Sequence, residues 1–277
     1  MRGPLLLALL LCAGTASAAP EELTSGRYHA SITIDPPDGQ DIFILTRDGV
    51  QVFTIIDALR MRLGRPLQVS DAVHLPDDVT GDGVIDLVVF GWSGGAHGCF
   101  TAWVLSLGDE FRVAAKIPGW NEEPQFRQLD DDTALETVVQ DASFDYWPMA
   151  HGDAPFVNVA LDWRGDGYQP SAGLTALLQV DDEEAGEIAT RLRNSGGWQY
   201  PYQAWGEVFR HILRMLYAGR MTEASDFIEA AWGGERKDMA RLFVEFSDRL
   251  ARSPYYATIA REMELDRHRP SVGDGNR

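Results

Sequence analysis

The sequence predicts an α+β protein in which a β-hairpin-rich N-terminal part is followed by an α-helical C-terminal part. Before about residue 172, short β-prone runs alternate with turn signals such as Arg47-Asp48-Gly49. After about residue 180, apolar residues recur with the period of an α-helix, as in the stripe Trp205, Phe209, Ile212 and Leu216. The change of period predicts a β-rich domain over residues 20–172 and a helical domain over residues 180–266.

Residues 1–19 predict a secretory signal peptide. Arg2 supplies a positive charge, residues 5–11 are continuously apolar, and Ala16-Ser17-Ala18 is a small-residue cleavage site. The apolar run is too short to span a bilayer. We therefore expect this segment to be removed and the mature protein to be periplasmic or secreted.

The two cysteines predict neither a lipid anchor nor a disulfide. Cys12 lies within the apolar run, but bacterial lipid attachment requires a small residue before the cysteine, and Leu11 stands there. Removal of the signal peptide leaves Cys99 alone, so no intramolecular disulfide is possible.

The strongly acidic composition excludes some partners. The net charge is −18, and phosphate binding requires clustered Lys and Arg, so we expect no nucleic-acid partner. We also expect no membrane span, because no other run approaches about 18 apolar residues.

The N-terminal part contains further runs whose composition favours strands. The predicted strands are Tyr28–Ile34, Asp41–Thr46, Gln51–Ile55, Asp86–Trp92, Phe100–Leu107, Phe111–Ile117, Glu136–Gln140 and Phe156–Trp163. In the C-terminal part, helices are predicted over Asp181–Arg193, Trp205–Leu216, Glu223–Trp232 and Arg236–Arg252, with a last short one from Pro254. Gly219 is a candidate C-terminal cap and Thr222 a candidate N-terminal cap. Residues 267–277 are predicted to be a disordered tail.

Residues 78–86 form the clearest candidate site. Oxygen-bearing side chains fall at the first, third, fifth and ninth places of this run: Asp78, Thr80, Asp82 and Asp86. Glycines lie between them, so the backbone can curl and offer the Val84 carbonyl as a further ligand. Calcium takes about six to eight oxygen ligands and tolerates irregular geometry. The run therefore predicts a Ca²⁺ loop leading into a strand.

Residues 128–136 align with this loop as a weaker repeat. Asp130, Asp132 and Glu136 occupy the third, fifth and ninth places, and a valine-rich strand follows. However, Gln128 stands at the first place and Thr133 at the sixth, where the turn favours glycine. We expect a second calcium site of lower affinity here.

The two loops, each leading into a strand, resemble the FG-GAP or VCBS-type repeat, whose Asp-rich loop binds calcium between the strands of β-propellers such as the integrin α-subunit head. The resemblance implies that Asp78, Asp82, Asp86 and the Val84 carbonyl are ligands, with Thr80 where the family usually has Asp or Asn. That substitution implies weak affinity, with a Kd of about 10⁻⁴–10⁻³ M. A closed propeller needs about four or more blades. We therefore expect a partial, propeller-like and unclosed arrangement. The stretch Ser93–His97 is also similar to one in bacterial exported proteins.

A glycine-rich loop supplies an alternative reading as a secreted hydrolase. Ser93 lies within a Gly-x-Ser-x-Gly string, and His97 lies two residues before Cys99. An imidazole next to a thiol could lower its pKa and accept its proton. The competing reading is a tight loop with a buried Cys99, since an esterase serine requires a strand-to-helix elbow and no helix is predicted after Ser93.

The aromatic content of the β part suggests the class of partner. The residues concerned are Trp92, Trp103, Trp120, Tyr146, Trp147 and Trp163. Most are expected in the core, but exposed rings could stack on sugars or on a partner surface. The sequence therefore favours an exported, calcium-binding, non-catalytic binding or adhesion-type module with a protein or glycan partner. The identity of that partner and the oligomeric state are not indicated by the sequence.

Overall fold

The computed structural model describes residues 21–34, 39–64, 77–95, 99–147, 149–179, 183–194 and 205–268. Within these ranges strands come first and helices follow, which confirms the α+β class. The predicted signal peptide, His97 and residues 269–277 of the predicted tail lie outside the described residues. No helix in the described part combines the length and the apolarity needed to cross a membrane.

The strands form three four-stranded antiparallel sheets in which each strand pairs with its neighbours in sequence. The first sheet contains β1 (Glu21–Ser25), β2 (Tyr28–Ile34), β3 (Asp41–Arg47) and β4 (Val50–Ile55). The second contains β5 (Arg60–Leu63), β6 (Asp86–Trp92), β7 (Phe100–Leu107) and β8 (Phe111–Trp120). The third contains β9 (Gln125–Arg127), β10 (Glu136–Asp141), β11 (Val157–Trp163) and β12 (Tyr168–Pro170). The described strands close no barrel, and the propeller-like arrangement stays a prediction.

The helices follow the third sheet. They are α1 (Ala172–Leu177), α2 (Glu183–Asn194), α3 (Trp205–Tyr217), α4 (Met221–Ala231), α5 (Arg236–Leu250) and α6 (Tyr256–His268), and a 3₁₀ turn spans His151–Asp153. Gly219, at φ +75°, caps α3 as predicted, and the Arg220 N–H donates to the Met215 carbonyl at 2.8 Å. Thr222 lies inside the first turn of α4, so its predicted role as a cap is wrong. Residues 267 and 268, which the sequence assigned to the tail, belong to α6, which continues to His268.

The central strands of the second sheet, β6 and β7, are buried on both faces. Leu87 and Val89 of β6 belong to a core shared with the first sheet, whereas Val88 and Phe90 belong to a core shared with the third sheet and the helices. Successive strand residues point to opposite faces. A strand between two cores must therefore be continuously apolar, which explains the run that begins at Leu87.

A buried hydrogen-bond network at the end of β10 joins the third sheet to the helices. One oxygen of Asp141 accepts hydrogen bonds from the hydroxyls of Tyr217 and Ser253, the latter at 2.6 Å. The other accepts from the Ser143 N–H at 2.8 Å. Ser253 Oγ accepts in turn from the Tyr256 N–H at 2.9 Å. Burial, followed by the charge of Asp141, holds the pKa of Tyr217 well above its usual range, so the phenol remains a donor.

Removing the Tyr217 hydroxyl tests this junction. Tyr217→Phe keeps the ring but deprives a buried carboxylate of a donor, and it should lower the free energy of unfolding by about 1–3 kcal/mol in denaturant titrations. Ser143→Ala is the matched control, because it also removes a hydroxyl that donates to Asp141, but Ser143 is only half-buried whereas Tyr217 is buried. A control variant as destabilised as Tyr217→Phe would contradict the assignment.

Candidate cation-binding loops

Two acidic loops occupy the same place in two sheets. The first loop, residues 78–86, leads into β6 at the end of the connection from β5, and the second loop, residues 128–136, connects β9 to β10. The ninth residue of each loop begins the second strand of its sheet: Asp86 in β6 and Glu136 in β10. Both side chains are fully buried, with 0% exposure. The aligned positions of the sequence repeat are thus equivalent in topology.

The ninth carboxylate closes each loop in the same manner. One oxygen of Asp86 accepts from the Val79 N–H at 3.1 Å, and one oxygen of Glu136 accepts from the Leu129 N–H. The second oxygen of each, Asp86 Oδ1 and Glu136 Oε1, is buried without a hydrogen-bond partner. Burial raises the pKa of both carboxyl groups above the ordinary value. Each loop therefore holds one buried carboxylate oxygen that accepts no hydrogen bond from the described residues.

The predicted ligands of the first loop are largely engaged by the protein itself. Asp78 accepts from the N–H groups of Asp82 at 3.0 Å and Gly83 at 2.8 Å. The Thr80 hydroxyl donates to Asp86 at 2.9 Å. The Val84 N–H donates to one oxygen of Asp82 at 2.9 Å.

Arg112, on β8, donates to the other oxygen of Asp82 at 2.7 Å. A guanidinium group therefore supplies positive charge to the first loop. This partner was not predicted, because a single arginine in a distant strand has no local sequence pattern.

The second loop brings its carboxylates together. One ligand oxygen each from Asp130, Asp132 and Glu136 lies within 4.8 Å of the others. Gln128, at the first place, donates from Nε2 to the carbonyls of Asp130 and Asp132, both at 2.8 Å, and so holds the loop closed without adding a charge. The three carboxylates of the first loop, which the sequence favoured, form no such group among the described residues.

The tips of the two loops pack against each other. The Leu135 N–H donates to the Val79 carbonyl at 2.9 Å, and the Thr133 hydroxyl donates to the Gly81 carbonyl at 3.2 Å. Thr133, which replaces a glycine of the repeat, therefore serves in the contact between the loops. Tyr168 of β12 donates from its hydroxyl to the Leu135 carbonyl of the second loop at 3.0 Å. Burial first, and then the charges of Asp86 and Glu136, raises its pKa. The two acidic loops are therefore in direct contact with each other.

The alternative catalytic residues lie elsewhere. Ser93 follows β6 in a strand–loop–strand hairpin rather than at a strand-to-helix elbow, and its N–H donates to the Cys99 carbonyl at 3.2 Å. Cys99 is a free thiol and is exposed, so the expectation of a buried cysteine is wrong. His97 lies outside the described residues, and the geometry of the proposed pair is therefore not described.

The aromatic residues divide into core and surface. Trp103 is buried between the first and second sheets, and Trp147 packs against Phe209 of α3. Trp120 and Tyr146 are exposed, at 42% and 58%. Both have positive φ, +58° and +54°, which is uncommon for a bulky residue. These two rings are the exposed members of the predicted aromatic set.

Comparison with known proteins gives no relative for this chain. No protein-family model matches it, and no curated protein or solved structure gives a significant match. The FG-GAP-like repeat stays a prediction that rests on the loop residues.

A pair of glycines tests the contact between the loops. A Cβ at Gly81 would lie 2.6 Å from Thr133 Oγ1 and 2.7 Å from the Ala134 nitrogen, whereas one at Gly83 would meet nothing within 4 Å. Both glycines have positive φ, so each alanine carries a backbone cost of about 1–2 kcal/mol. In denaturant unfolding, Gly81→Ala should cost about 1–3 kcal/mol more than Gly83→Ala. Equal losses would show that the loops do not touch.

The buried carboxyl groups predict the pH dependence of the metal-free protein. Because their pKa is raised in the folded chain, their protonation favours folding. Their contribution is present below the unfolded pKa and is lost as the pH rises through the raised folded pKa. We therefore expect the free energies of unfolding of Asp86→Asn and Glu136→Gln, measured in chelator, to increase relative to that of wild type as the pH rises across this range. A difference from wild type that is independent of pH would exclude this origin.

Proposed function

We propose that this chain is an exported, calcium-stabilised module that binds a partner and catalyses no reaction. The observation that carries the proposal is the second loop, where three carboxylates converge within 4.8 Å and a buried oxygen of Glu136 lacks a partner. Carboxylates this close repel one another unless a proton or cation neutralises them. Calcium is the cation best suited to an irregular cradle of oxygen ligands.

We assign the main calcium site to Asp130, Asp132 and Glu136, which reverses the ranking expected from the sequence. No described basic side chain forms an ion pair with these three carboxylates, whereas Arg112 already neutralises Asp82 in the first loop. The first loop is then a weaker site, with the ligands Asp78, Thr80, Asp82, Val84 and Asp86. Calcium there competes with the Arg112 guanidinium for Asp82.

The cation would stabilise more than one loop. Since Thr133 and Leu135 of the second loop hydrogen-bond to the first, ordering one loop supports the other. Asp86 and Glu136 begin the central strands β6 and β10, so a cation at this point fixes the start of both strands. Metal binding thereby contributes to the free energy of folding.

Other features support the proposed export and the proposed class of partner. The predicted signal peptide over residues 1–19 leads to the periplasm or the exterior, where free calcium is available to weak sites. The exposed rings of Trp120 and Tyr146 suit a protein or glycan partner. The hairpin position of Ser93 is consistent with a role in binding rather than in acyl transfer.

A thermal melt in calcium and in chelator tests the proposal. At about 10 mM calcium, a site with a Kd of about 10⁻⁴–10⁻³ M should stabilise the mature protein by about 1–3 kcal/mol. Glu136→Gln and Asp132→Asn should abolish this gain, whereas Asp82→Asn should reduce it only slightly.

Asp131→Asn is the matched control for this experiment, because Asp131 is an exposed acid of the same loop outside the converging group. It should retain the full calcium response. An unchanged melting temperature in calcium, or an equal loss of response in the control, would refute the assignment.

A further inference from the structure

A cavity of about 320 Å³ lies where the third sheet meets α3. Its walls come from β10, β11, α3, the end of α1 and the turn after β8. The aromatic, charged and amide residues that line it include Glu122, Gln140, Phe156, Asn158, Arg210 and Arg214. Pockets for small organic ligands begin at about this volume. The cavity is separate from the two acidic loops.

Two arginines supply the charge of this cavity. Arg210 and Arg214 are one turn apart on α3, so they lie on the same side of the helix. Neither forms an ion pair or a side-chain hydrogen bond within the described ranges. By contrast, Arg112, Arg164 and Arg236 each pair with a carboxylate, as expected in a chain of net charge −18. The guanidinium donors of the cavity are therefore available to a bound anion.

Gln140 provides an independent sign of a ligand. Its side chain is only 8% exposed, and its buried Oε1 has no hydrogen-bond partner. An unpartnered buried amide oxygen costs free energy, which is regained if the amide turns to face a ligand in the cavity. The next residue, Asp141, has hydrogen bonds to both of its carboxylate oxygens, whereas the amide oxygen of Gln140 accepts none from the described residues.

One wall of the cavity is aromatic. Phe156 lines it, the His151 ring packs on Phe156 at a centroid distance of 5.4 Å, and the Tyr146 ring packs on His151 at 5.7 Å. Asp145 lies 2.9 Å from His151 Nδ1 and fixes the imidazole. The left-handed backbone of Tyr146 is a strained conformation, which proteins retain mainly at functional positions. A ligand in the cavity therefore has an apolar face available beside its charged group.

We propose that this cavity binds a small organic monocarboxylate that carries a second hydrogen-bonding group. Arg210 and Arg214 bind the carboxylate, Gln140 binds the second group, and Phe156 contacts the carbon skeleton. Two guanidinium groups and one carboxylate, that of Glu122, leave one net positive charge in the lining. This charge complements a monoanion better than a phosphate or sulfate dianion.

Titration calorimetry of the mature protein with matched ligand pairs tests the proposal. The probes are 4-hydroxybenzoate against 4-hydroxybenzamide and D-gluconate against sorbitol, with sulfate as the inorganic anion. The protein is first treated with chelator and then desalted, so that neither calcium nor the carboxylates of the chelator take part. At least one carboxylate should bind saturably while its neutral analogue does not. Arg210→Gln and Arg214→Gln should each weaken that binding about tenfold or more.

Arg252→Gln is the matched control, because Arg252 is an exposed arginine outside the cavity with no ion pair in the described part of the chain. It should leave the Kd unchanged. No saturable binding of either carboxylate, binding of sulfate as tight as that of the carboxylate, or a Kd that neither Arg210→Gln nor Arg214→Gln alters would each overturn the proposal.

Gln140→Met separates a ligand-binding role from a structural one. A structural amide would lose stability on substitution. In the proposed site the thioether replaces an unpartnered buried amide of similar size, so the melting temperature of the ligand-free protein should rise while the carboxylate binds more weakly. A variant that is destabilised and binds the carboxylate as wild type does would assign Gln140 to the fold alone.

Discussion

The hydrogen bonds to Asp141 determine how the strand half meets the helical half, and the rest of the junction depends on them. Tyr217 and Ser253 reach this carboxylate from two different parts of the helical region. Arg210, Arg214 and Tyr217 follow one another at the i, i+4 and i+7 spacing on α3, so one side of that helix carries both the anchor and the cavity arginines. Gln140, which lines the cavity, directly precedes Asp141 on β10.

The two acidic loops share a hydrogen-bond scheme but differ in how their charge is balanced. In the first loop Arg112 of β8 reaches Asp82, so the protein supplies part of the neutralising charge. In the second loop Gln128 holds the chain by donating to two carbonyls and contributes no charge. Both loops donate backbone N–H groups to their acids, but a loop with an acid already paired to an arginine gains less from a cation than one whose acids converge without an ion pair.

Much of the fold follows from the sequence, because long runs with a clear period determine their own structure. The predicted bounds of β2, β6 and β7 agree with the observed ones. Strands as short as β9 and β12 have too few residues to show alternation, and they form because a neighbouring strand pairs with them. The spacing of oxygen-bearing residues in the first loop could be recognised from the sequence. The pairing of Asp82 with Arg112, a residue of a distant strand, could not. The residues that line the cavity are far apart in the chain, so no local sequence pattern predicts it.

Three of the five buried side-chain oxygens that lack a partner among the described residues connect the proposed sites to the energetics of the fold. Asp86 Oδ1, Glu136 Oε1 and Gln140 Oε1 all belong to β6 or β10, the second strands of their sheets. Native proteins leave few such atoms, since each costs about 1–3 kcal/mol. The Asp141 network demonstrates that this fold can satisfy a buried carboxylate when the role of the group is structural. Where the partner is missing, the proposed cation or carboxylate ligand supplies the interaction, and its binding free energy adds directly to the stability of the folded chain.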